Sequence, residues 1–235
     1  MYWIYYKLLK ILIELEFAQH HQLPNSTTKK IRTWCLHKIL INSTEANSKK
    51  RSMTKKDSLI TKYNMQPHPE GGFYVETFRS STSVDTEKGP RSASTAIYFL
   101  MCDGNISRLH RIVSDEVWHF YAGTSITVVE LDESTGDCKK TILGSNVTSD
   151  DSKECMQYVV KGGTWFGSFP NIKEGNEEAY SLVGCTVSPG FDFSDFELGS
   201  NALLTKQFPK AAASGVIDKM TVGLPWIHTY IYLSK

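Results

Sequence analysis

The sequence lacks any long hydrophobic run that is free of charges. Its most apolar stretch, MYWIYYKLLKILIELEF at the start of the chain, is interrupted by Lys7, Lys10, Glu14 and Glu16. A membrane-spanning helix needs roughly 18–20 predominantly apolar residues, and a signal peptide needs an unbroken apolar core after its positive charges. The sequence therefore predicts a protein with no membrane partner.

Paired cysteines are also missing. The five cysteines are odd in number, and no two of them stand in a C-x-x-C spacing. A disulfide framework or a zinc knuckle is therefore not indicated. Cys102 and Cys185 lie in apolar runs, where a free cysteine behaves as a small buried hydrophobe. Reduced thiols of this kind favour a cytoplasmic location.

The chain has little net charge, +1 in all, but the charge is unevenly distributed. Residues 1–62 contain 12 Lys and Arg against 4 Asp and Glu, and the rest contain 14 against 21. Neutralisation of phosphates supplies most of the affinity for nucleic acids. The acidic body therefore argues against a nucleic-acid partner.

Composition also divides the chain into segments. Residues 20–56 are rich in Ser, Thr, Asn and Lys, which is typical of a solvated linker. We therefore expect residues 1–52 to be a basic, disordered extension and residues 53–221 to form one folded domain. Residues 222–235 are expected to be a C-terminal tail.

The body of the chain consists of short β-rich runs separated by turn signals such as Gly89-Pro90 and Asp103-Gly104. Predicted strands are 72–79, 94–101, 106–112, 116–121, 125–131, 138–143, 156–160, 164–169 and 180–187. Predicted helices are 54–64, 200–208 and 214–221. Many short strands without intervening helices indicate an all-β sandwich or barrel, here with short flanking helices.

One stretch, GNISRLHRIVSDEVWHFYAG, carries most of the predicted chemistry. Side chains alternate between the two faces of a strand, so Arg108 and His110 share one face. Glu116 and Trp118 share a face of the following strand. A hairpin with both of these faces inward would bring His110 and Glu116 together inside a barrel.

The spacing of Gly104, His110, Glu116 and Gly123 resembles the first motif of the cupin superfamily, whose barrel is a jelly roll. In metal-bearing cupins, two histidines and the glutamate of this motif bind the ion, with a third histidine from a second motif. Ile112 stands at the second histidine position. In VKGGTWFGS, which resembles the second motif, Phe166 replaces the third. Isoleucine and phenylalanine are not metal ligands, so we expect no metal and no cofactor.

Longer stretches of the sequence resemble one particular family within the cupin superfamily. PHPEGGFYVETFRS, TAIYFL, SDEVWHFYAG and YSLVGCTVSPGFDFSDFEL occur in this order and resemble the DUF985 or cupin-5 family, a branch of the dTDP-4-dehydrorhamnose 3,5-epimerase-like cupins. The resemblance covers roughly residues 57–221. It implies an all-β double-stranded β-helix, the cupin jelly-roll barrel, for residues 53–221, and it implies a homodimer. The family has no agreed reaction.

Our leading hypothesis is a metal-independent cupin that binds a small polar, carbohydrate-like ligand inside the barrel. It would transfer protons as an epimerase or isomerase does. His110 would remove a proton next to a carbonyl, Glu116 would hold the imidazole, and Tyr98 or Tyr121 would return a proton. The expected ligand-binding residues are Glu70, Arg79, Arg108, Trp118, His119 and Trp165. Among these, the two arginines would anchor a charged end of the ligand.

Two alternatives remain open from the sequence. The first is a non-catalytic ligand-binding or structural cupin, in which His110 and Glu116 merely satisfy each other. The second is a metal-dependent enzyme that uses His110, Glu116 and an additional ligand such as His119, which would need a bulge to face inward.

Overall fold

The computed structural model describes residues 53–221. The expected basic extension, 1–52, and the expected C-terminal tail, 222–235, lie outside the described residues. Within the described part, no helix is long and apolar enough to cross a membrane.

The described residues form strands, four short α-helices and one 3-10 turn, Phe193–Asp195. The strands are β1 (Gln66–Pro67), β2 (Phe73–Arg79), β3 (Ser83–Val84), β4 (Arg91–Ser92), β5 (Thr95–Cys102), β6 (Ser107–Arg111), β7 (Asp115–Gly123), β8 (Ile126–Leu131), β9 (Cys138–Leu143), β10 (Glu154–Cys155), β11 (Gln157–Val160), β12 (Phe166–Pro170), β13 (Tyr180–Ser188) and β14 (Glu197–Leu198). The helices are α1 (Lys55–Tyr63), α2 (Asn201–Gln207), α3 (Pro209–Ala213) and α4 (Val216–Thr221).

Two six-stranded sheets make up the barrel. Sheet one has the strand order β1-β2-β5-β13-β7-β11, and sheet two has the order β10-β9-β8-β12-β6-β14. Neighbouring strands are antiparallel except β9 and β10, which are parallel. The predicted all-β fold, a jelly roll with short flanking helices, is confirmed.

Alternation along the strands builds the core between the sheets. On β5, Phe99 and Met101 point inward and pack with Trp118 of β7 and Val128 of β8. Tyr98, which lies between inward-facing neighbours on β5, points outward and packs in a separate cluster with residues of α1. The alternation therefore decides which side chains can reach the barrel interior.

The outer face of sheet two is covered by the C-terminal helices. Leu109 and Val129 on the strands, with Trp165 just before β12, pack against Phe208 and Ile217 of the helical segment. Ser200 caps α2 by accepting a hydrogen bond from the backbone N–H of Leu203, which satisfies one of the free amides at a helix start. This layer leaves the barrel interior on the opposite side of the sheet.

The expected hairpin between the two motif strands is wrong. β6 belongs to sheet two, where it pairs with β12 and β14. β7 belongs to sheet one, where it pairs with β13 and β11. The connection between them therefore crosses from one sheet to the other. His110 and Glu116 still both face the interior, but from facing sheets.

Candidate functional site

A cavity of about 470 Å³ lies in the barrel. Its ionisable lining residues are His68, Glu70, Glu76, Arg79, His110, Glu116, Cys185 and Asp192. Its aromatic lining residues are Tyr74, Phe99, Phe191, Phe193 and Phe196. A concave site that is largely aromatic, with a few polar groups, is the usual form of a small-molecule site.

A tight turn before β2 places two of the ionisable residues. Gly71 has φ +125°, and a Cβ there would lie 2.1 Å from the carbonyl oxygen of Ile106. The Gly71 N–H donates to the His68 carbonyl at 3.0 Å, and the Glu70 carbonyl accepts from the Arg108 N–H at 2.9 Å. Only glycine allows this close approach without strain. The turn is thereby seated against β6, with His68 and Glu70 directed at the cavity.

The Glu70 carboxyl is the centre of a buried polar group. Its Oε2 lies 3.1 Å from His110 Nε2 and 3.5 Å from His68 Nδ1, and its Oε1 accepts from Ser107 Oγ at 2.8 Å. Burial raises the pKa of Glu70, and the nearby His68 is the largest opposing influence. Glu70 is therefore the partner of His110, a role that the sequence had suggested for Glu116.

A bulge in β6 makes this arrangement possible. Phe166 pairs with His110 and Ser168 pairs with Ser107, so β6 has one more residue than β12 between the two pairs. Such an extra residue changes the face on which the following side chains lie. Ser107 and His110, three positions apart, can therefore contact the same carboxyl.

The contacts of His110 fix its protonation pattern. Its Nδ1 lies 2.7 Å from the Arg108 carbonyl oxygen, which can only accept, so Nδ1 carries a hydrogen. Nε2 and Glu70 Oε2 then share a single proton. Burial lowers the pKa of His110 to about 4 and raises that of Glu70. Both shifts favour the shared proton on Glu70 over His110, and the imidazole is neutral at pH 7.

Glu116 enters the cavity from the facing sheet and has no cationic partner among residues 53–221. It is 8% exposed, and burial raises its pKa to about 8, with the Glu70 carboxyl adding to the rise. The Cys185 thiol and the Trp118 indole N–H act weakly in the opposite direction. The indole N–H makes no hydrogen bond of normal geometry with any described residue. Glu116 is therefore a carboxylic acid at neutral pH, with a proton available for a ligand.

Three expected site residues lie on the outer face of sheet one. Tyr121 is 52% exposed and packs edge-on against Tyr98, with 5.8 Å between ring centroids. His119 Nε2 lies 3.2 Å from Thr186 Oγ1, also outside the barrel. Because alternation turns all three away from the cavity, the expectations that a tyrosine returns a proton and that His119 binds a ligand or metal are wrong.

The two tryptophans are also corrected. Trp118 faces inward but is packed in the core, 6.0 Å from Phe99 and 6.4 Å from Phe166 between ring centroids, and it does not line the cavity. Trp165 lies under the C-terminal helices, with the Arg111 guanidinium 4.6 Å from its ring. It lies on the side of sheet two that faces away from the cavity, so it cannot contact a ligand there.

The two arginines differ in position. Arg79 lines the cavity and donates to Glu76 from Nε at 2.9 Å and from Nη2 at 2.7 Å. Arg108 does not line it, because its guanidinium donates to the backbone carbonyls of Pro69 and Glu70. Arg108 therefore holds the turn in place, and its expected contact with a ligand is wrong.

Several lining residues were missed from the sequence. His68 lies two residues before the predicted Glu70. Its position just before the Gly71-Gly72 turn was the sequence feature that could have identified it as a lining residue. Phe191, Phe193 and Phe196 belong to the SPGFDFSDFEL stretch, which was not predicted to line the site. Between residues 189 and 198 the only strand is Glu197–Leu198. Asp192 caps the 3-10 turn by accepting from the Ser194 N–H, which folds the aromatic segment over the cavity.

The residues present do not fit a metal ion. No three His, Cys, Asp or Glu side chains among residues 53–221 converge as a metal site requires. Ile112 lines the cavity, and the Phe166 ring lies 4.2 Å from the His110 ring. Hydrocarbon therefore stands where two imidazoles would be needed, and His110 Nε2 is engaged by Glu70.

Comparison with known proteins agrees with this fold and these motifs. The family model described as "Cupin superfamily (DUF985)" matches residues 57–199. The chain belongs to this family. An uncharacterised protein of Saccharomyces cerevisiae is 29% identical over 169 residues, which cover 66% of this chain and 81% of that protein.

Two solved structures are also similar. A protein of Shewanella oneidensis is 35% identical, with 74% of this chain and 100% of that chain covered and a TM-score of 0.63. A hypothetical protein from Leishmania major is 36% identical, with 72% and 99% covered and a TM-score of 0.63. Because fold does not determine activity, the function of this cupin has to be argued from its cavity.

Proposed function

We propose that this cupin binds a small polar, carbohydrate-like ligand in the barrel and moves a proton on it without a metal, as an epimerase or isomerase does. The observation that carries the proposal is Glu116. A buried carboxyl that lacks a cation and a well-formed hydrogen bond is costly to the fold, and this one faces a cavity that also contains the Glu70–His110 pair.

The pair supplies a base. When Glu70 passes its proton to His110 Nε2, the imidazole becomes a cation whose Nδ1–H still donates to the Arg108 carbonyl. The Glu70 carboxylate that remains can take a proton from a carbon next to a ligand carbonyl. The C–H electrons pass into the carbonyl as an enolate, and the pair then holds both protons.

Glu116 supplies the acid. Its O–H proton forms the new C–H bond as the enolate collapses back to the carbonyl, which leaves a Glu116 carboxylate. Exchange with solvent then removes the extra proton from the Glu70–His110 pair and returns one to Glu116. Two groups whose surroundings move their pKa values in opposite directions are typical of acid–base sites: that of His110 is lowered and that of Glu116 is raised.

The walls suit a ligand with one apolar face and several hydroxyls. Tyr74, Phe99 and Phe196 offer ring surface of the kind on which sugars stack. The His68 Nδ1 accepts the Glu70 backbone N–H at 3.3 Å, so its Nε2 carries the hydrogen. That Nε2–H has no partner among the described residues and is a free donor for a hydroxyl.

The test is solvent deuterium incorporation, measured by NMR, when the full chain is incubated in D₂O with a panel of free aldoses and ketoses. At least one sugar should gain deuterium next to its carbonyl. Glu116→Gln should lower the rate by roughly 10²-fold or more. The matched control is Glu130→Gln, because Glu130 accepts from Tyr158 outside the cavity. Equal rates in Glu116→Gln and wild type would refute the proposal.

A second candidate is a cupin that binds a ligand without catalysis. One observation favours it: both ring nitrogens of His110 are already engaged by protein groups. In that case a sugar would bind, detected as saturation transfer in NMR, but would gain no deuterium in any variant. His110→Ala would then leave the affinity nearly unchanged.

The assembly and the compartment are also proposals. The outer face of sheet one exposes Tyr121, and Phe78 and Met156 are each likewise 52% exposed, which supports a homodimer because large exposed apolar groups favour interfaces. Sedimentation velocity on the full chain tests this. The four described cysteines are free, which supports a reducing compartment such as the cytoplasm.

A further inference from the structure

The charges that line the cavity are unbalanced. Among the described residues, the lining contains the carboxyl groups of Glu70, Glu76, Glu116 and Asp192 but only one guanidinium, that of Arg79. Even with protons on both Glu70 and Glu116, the two remaining acids outnumber the single cation. The interior therefore has no excess of positive charge with which to meet an anion.

The one lining cation is already engaged. Arg79 donates to both carboxyl oxygens of Glu76 and from Nη1 and Nη2 to the Phe191 carbonyl, at 3.2 Å each. The Glu76 contact is the main cause of the raised pKa of Arg79. A phosphate that approaches the remaining Nη1–H of this guanidinium also meets the Glu76 carboxylate, which lies three residues away on the same strand.

The other nearby cations are engaged as well. Arg108 donates to the carbonyls of Pro69 and Glu70 behind the lining, and Arg91 forms a two-point pair with Asp195. Each of these guanidinium groups is thus already paired with a carboxylate or a carbonyl, and the described lining contains no ammonium group.

We propose that this cavity accepts uncharged or positively charged ligands and rejects phosphorylated ones, nucleoside-diphosphate sugars included. The inference rests on the proposed function only in taking this cavity as the ligand site. The carboxylates of Glu76 and Asp192 line the cavity and repel a phosphate by their charge. The rings of Phe191, Phe193 and Tyr74 present faces that attract cations and tolerate neutral sugars.

The test measures the charge preference of the cavity directly. Ile97 lines the cavity on β5, so an Ile97→Cys variant of the full chain places a thiol inside it. Its labelling rates with a cationic and an anionic methanethiosulfonate are followed by peptide mass spectrometry, which separates this site from the native cysteines. Relative to the same rates for free cysteine, the cationic reagent should be favoured by about tenfold. Equal labelling, or a preference for the anion, would overturn the inference.

Charge-removing variants sharpen the result. Glu76→Gln and Asp192→Asn in the Ile97→Cys background should each lower the cation preference several-fold, whereas Asp150→Asn, on an exposed loop, should leave it unchanged. Saturation-transfer NMR on the wild-type chain, with glucose, glucosamine and glucose 6-phosphate as probes, is a second measurement that needs no variant. A saturation-transfer signal from glucose 6-phosphate that disappears in Arg79→Gln would also overturn the inference.

These experiments remain separate from the test of catalysis. Labelling rates report the potential in the cavity whether or not any ligand turns over. Preferential labelling by the cationic reagent, together with no deuterium incorporation into any sugar, would support this inference and contradict proton transfer.

Discussion

At the mouth of the cavity, Arg79 and Glu76 form a two-point ion pair. Their side chains are 43% and 39% exposed, respectively. At the floor, which we define as Glu70, His110 and Glu116, the carboxyls are buried and no cation from residues 53–221 faces Glu116. Mouth and floor contain similar carboxyl groups, but water and an arginine stabilise the charged form of one set, whereas burial favours the protonated form of the other.

The difference shows where the fold tolerates a cost. A solvated ion pair is nearly neutral for stability, so the mouth needs no special explanation. Buried carboxyls without cations destabilise a fold. Their presence therefore indicates that a functional site requires them. The floor therefore indicates chemistry or ligand recognition more strongly than the mouth does.

The largest expected effect comes from displacing the turn that holds the floor. Gly71→Ala would place a Cβ 2.1 Å from the Ile106 carbonyl oxygen at φ +125°, so we expect the free energy of unfolding to fall by roughly 2–4 kcal/mol. Urea denaturation followed by circular dichroism measures it. Glu70 should also separate from His110, and the pH dependence described below should change.

Gly89→Ala is the matched control for that change. Gly89 also has positive φ, +100°, but its added Cβ would meet only the Arg91 side chain at 3.9 Å. Its cost should be about 1 kcal/mol, from the backbone conformation alone. Equal losses in the two variants would show that the turn is not seated against β6 as described.

The sequence predicted the nine longer strands and most of the inward faces, because a period of two residues is a local property. It missed the five strands of two residues each, β1, β3, β4, β10 and β14. It also identified Ile112 and Phe166 as hydrocarbon at ligand positions. The bulge in β6 and the crossing of β6 and β7 between sheets were not predictable locally. Glu70 lies 40 positions before His110, so only the closed barrel shows that they meet.

The next largest effect concerns pH. The pKa of Glu116 is raised from 4.5 to about 8, so between these values the folded state holds a proton that the unfolded state has lost. Its contribution to stability is present below pH 4.5 and is lost as pH rises to 8, by at most about 1.4 kcal/mol per pH unit. In Glu116→Gln this alkaline decline should become shallower, and the remainder should come from Glu70, whose pKa is also raised by burial. Urea titrations at several pH values measure the slope.

His110 should act in the opposite direction and on the acid side. Its pKa is lowered from 6.5 to about 4, so its contribution is present above pH 6.5 and is lost as pH falls to 4. Glu116→Gln should therefore retain the acid decline while its alkaline decline becomes shallower. The control is Glu76→Gln at the mouth, which should keep both at full size. An alkaline decline as steep in Glu116→Gln as in the wild type would contradict the proposed state of the floor.

The smallest effect is expected for the ion pair at the mouth. In a double-mutant cycle of Glu76→Gln and Arg79→Gln, the coupling energy should lie below about 1 kcal/mol. It should shrink further between about 0.05 M and about 0.5 M salt, because exposed charges are screened. The cycle removes the separate loss of the Arg79 contact with the Phe191 carbonyl, which both Arg79 variants share. A coupling energy above about 2 kcal/mol that does not change with salt would mean that the ion pair at the mouth is shielded from solvent as the floor is. The two regions would then not differ in the way described.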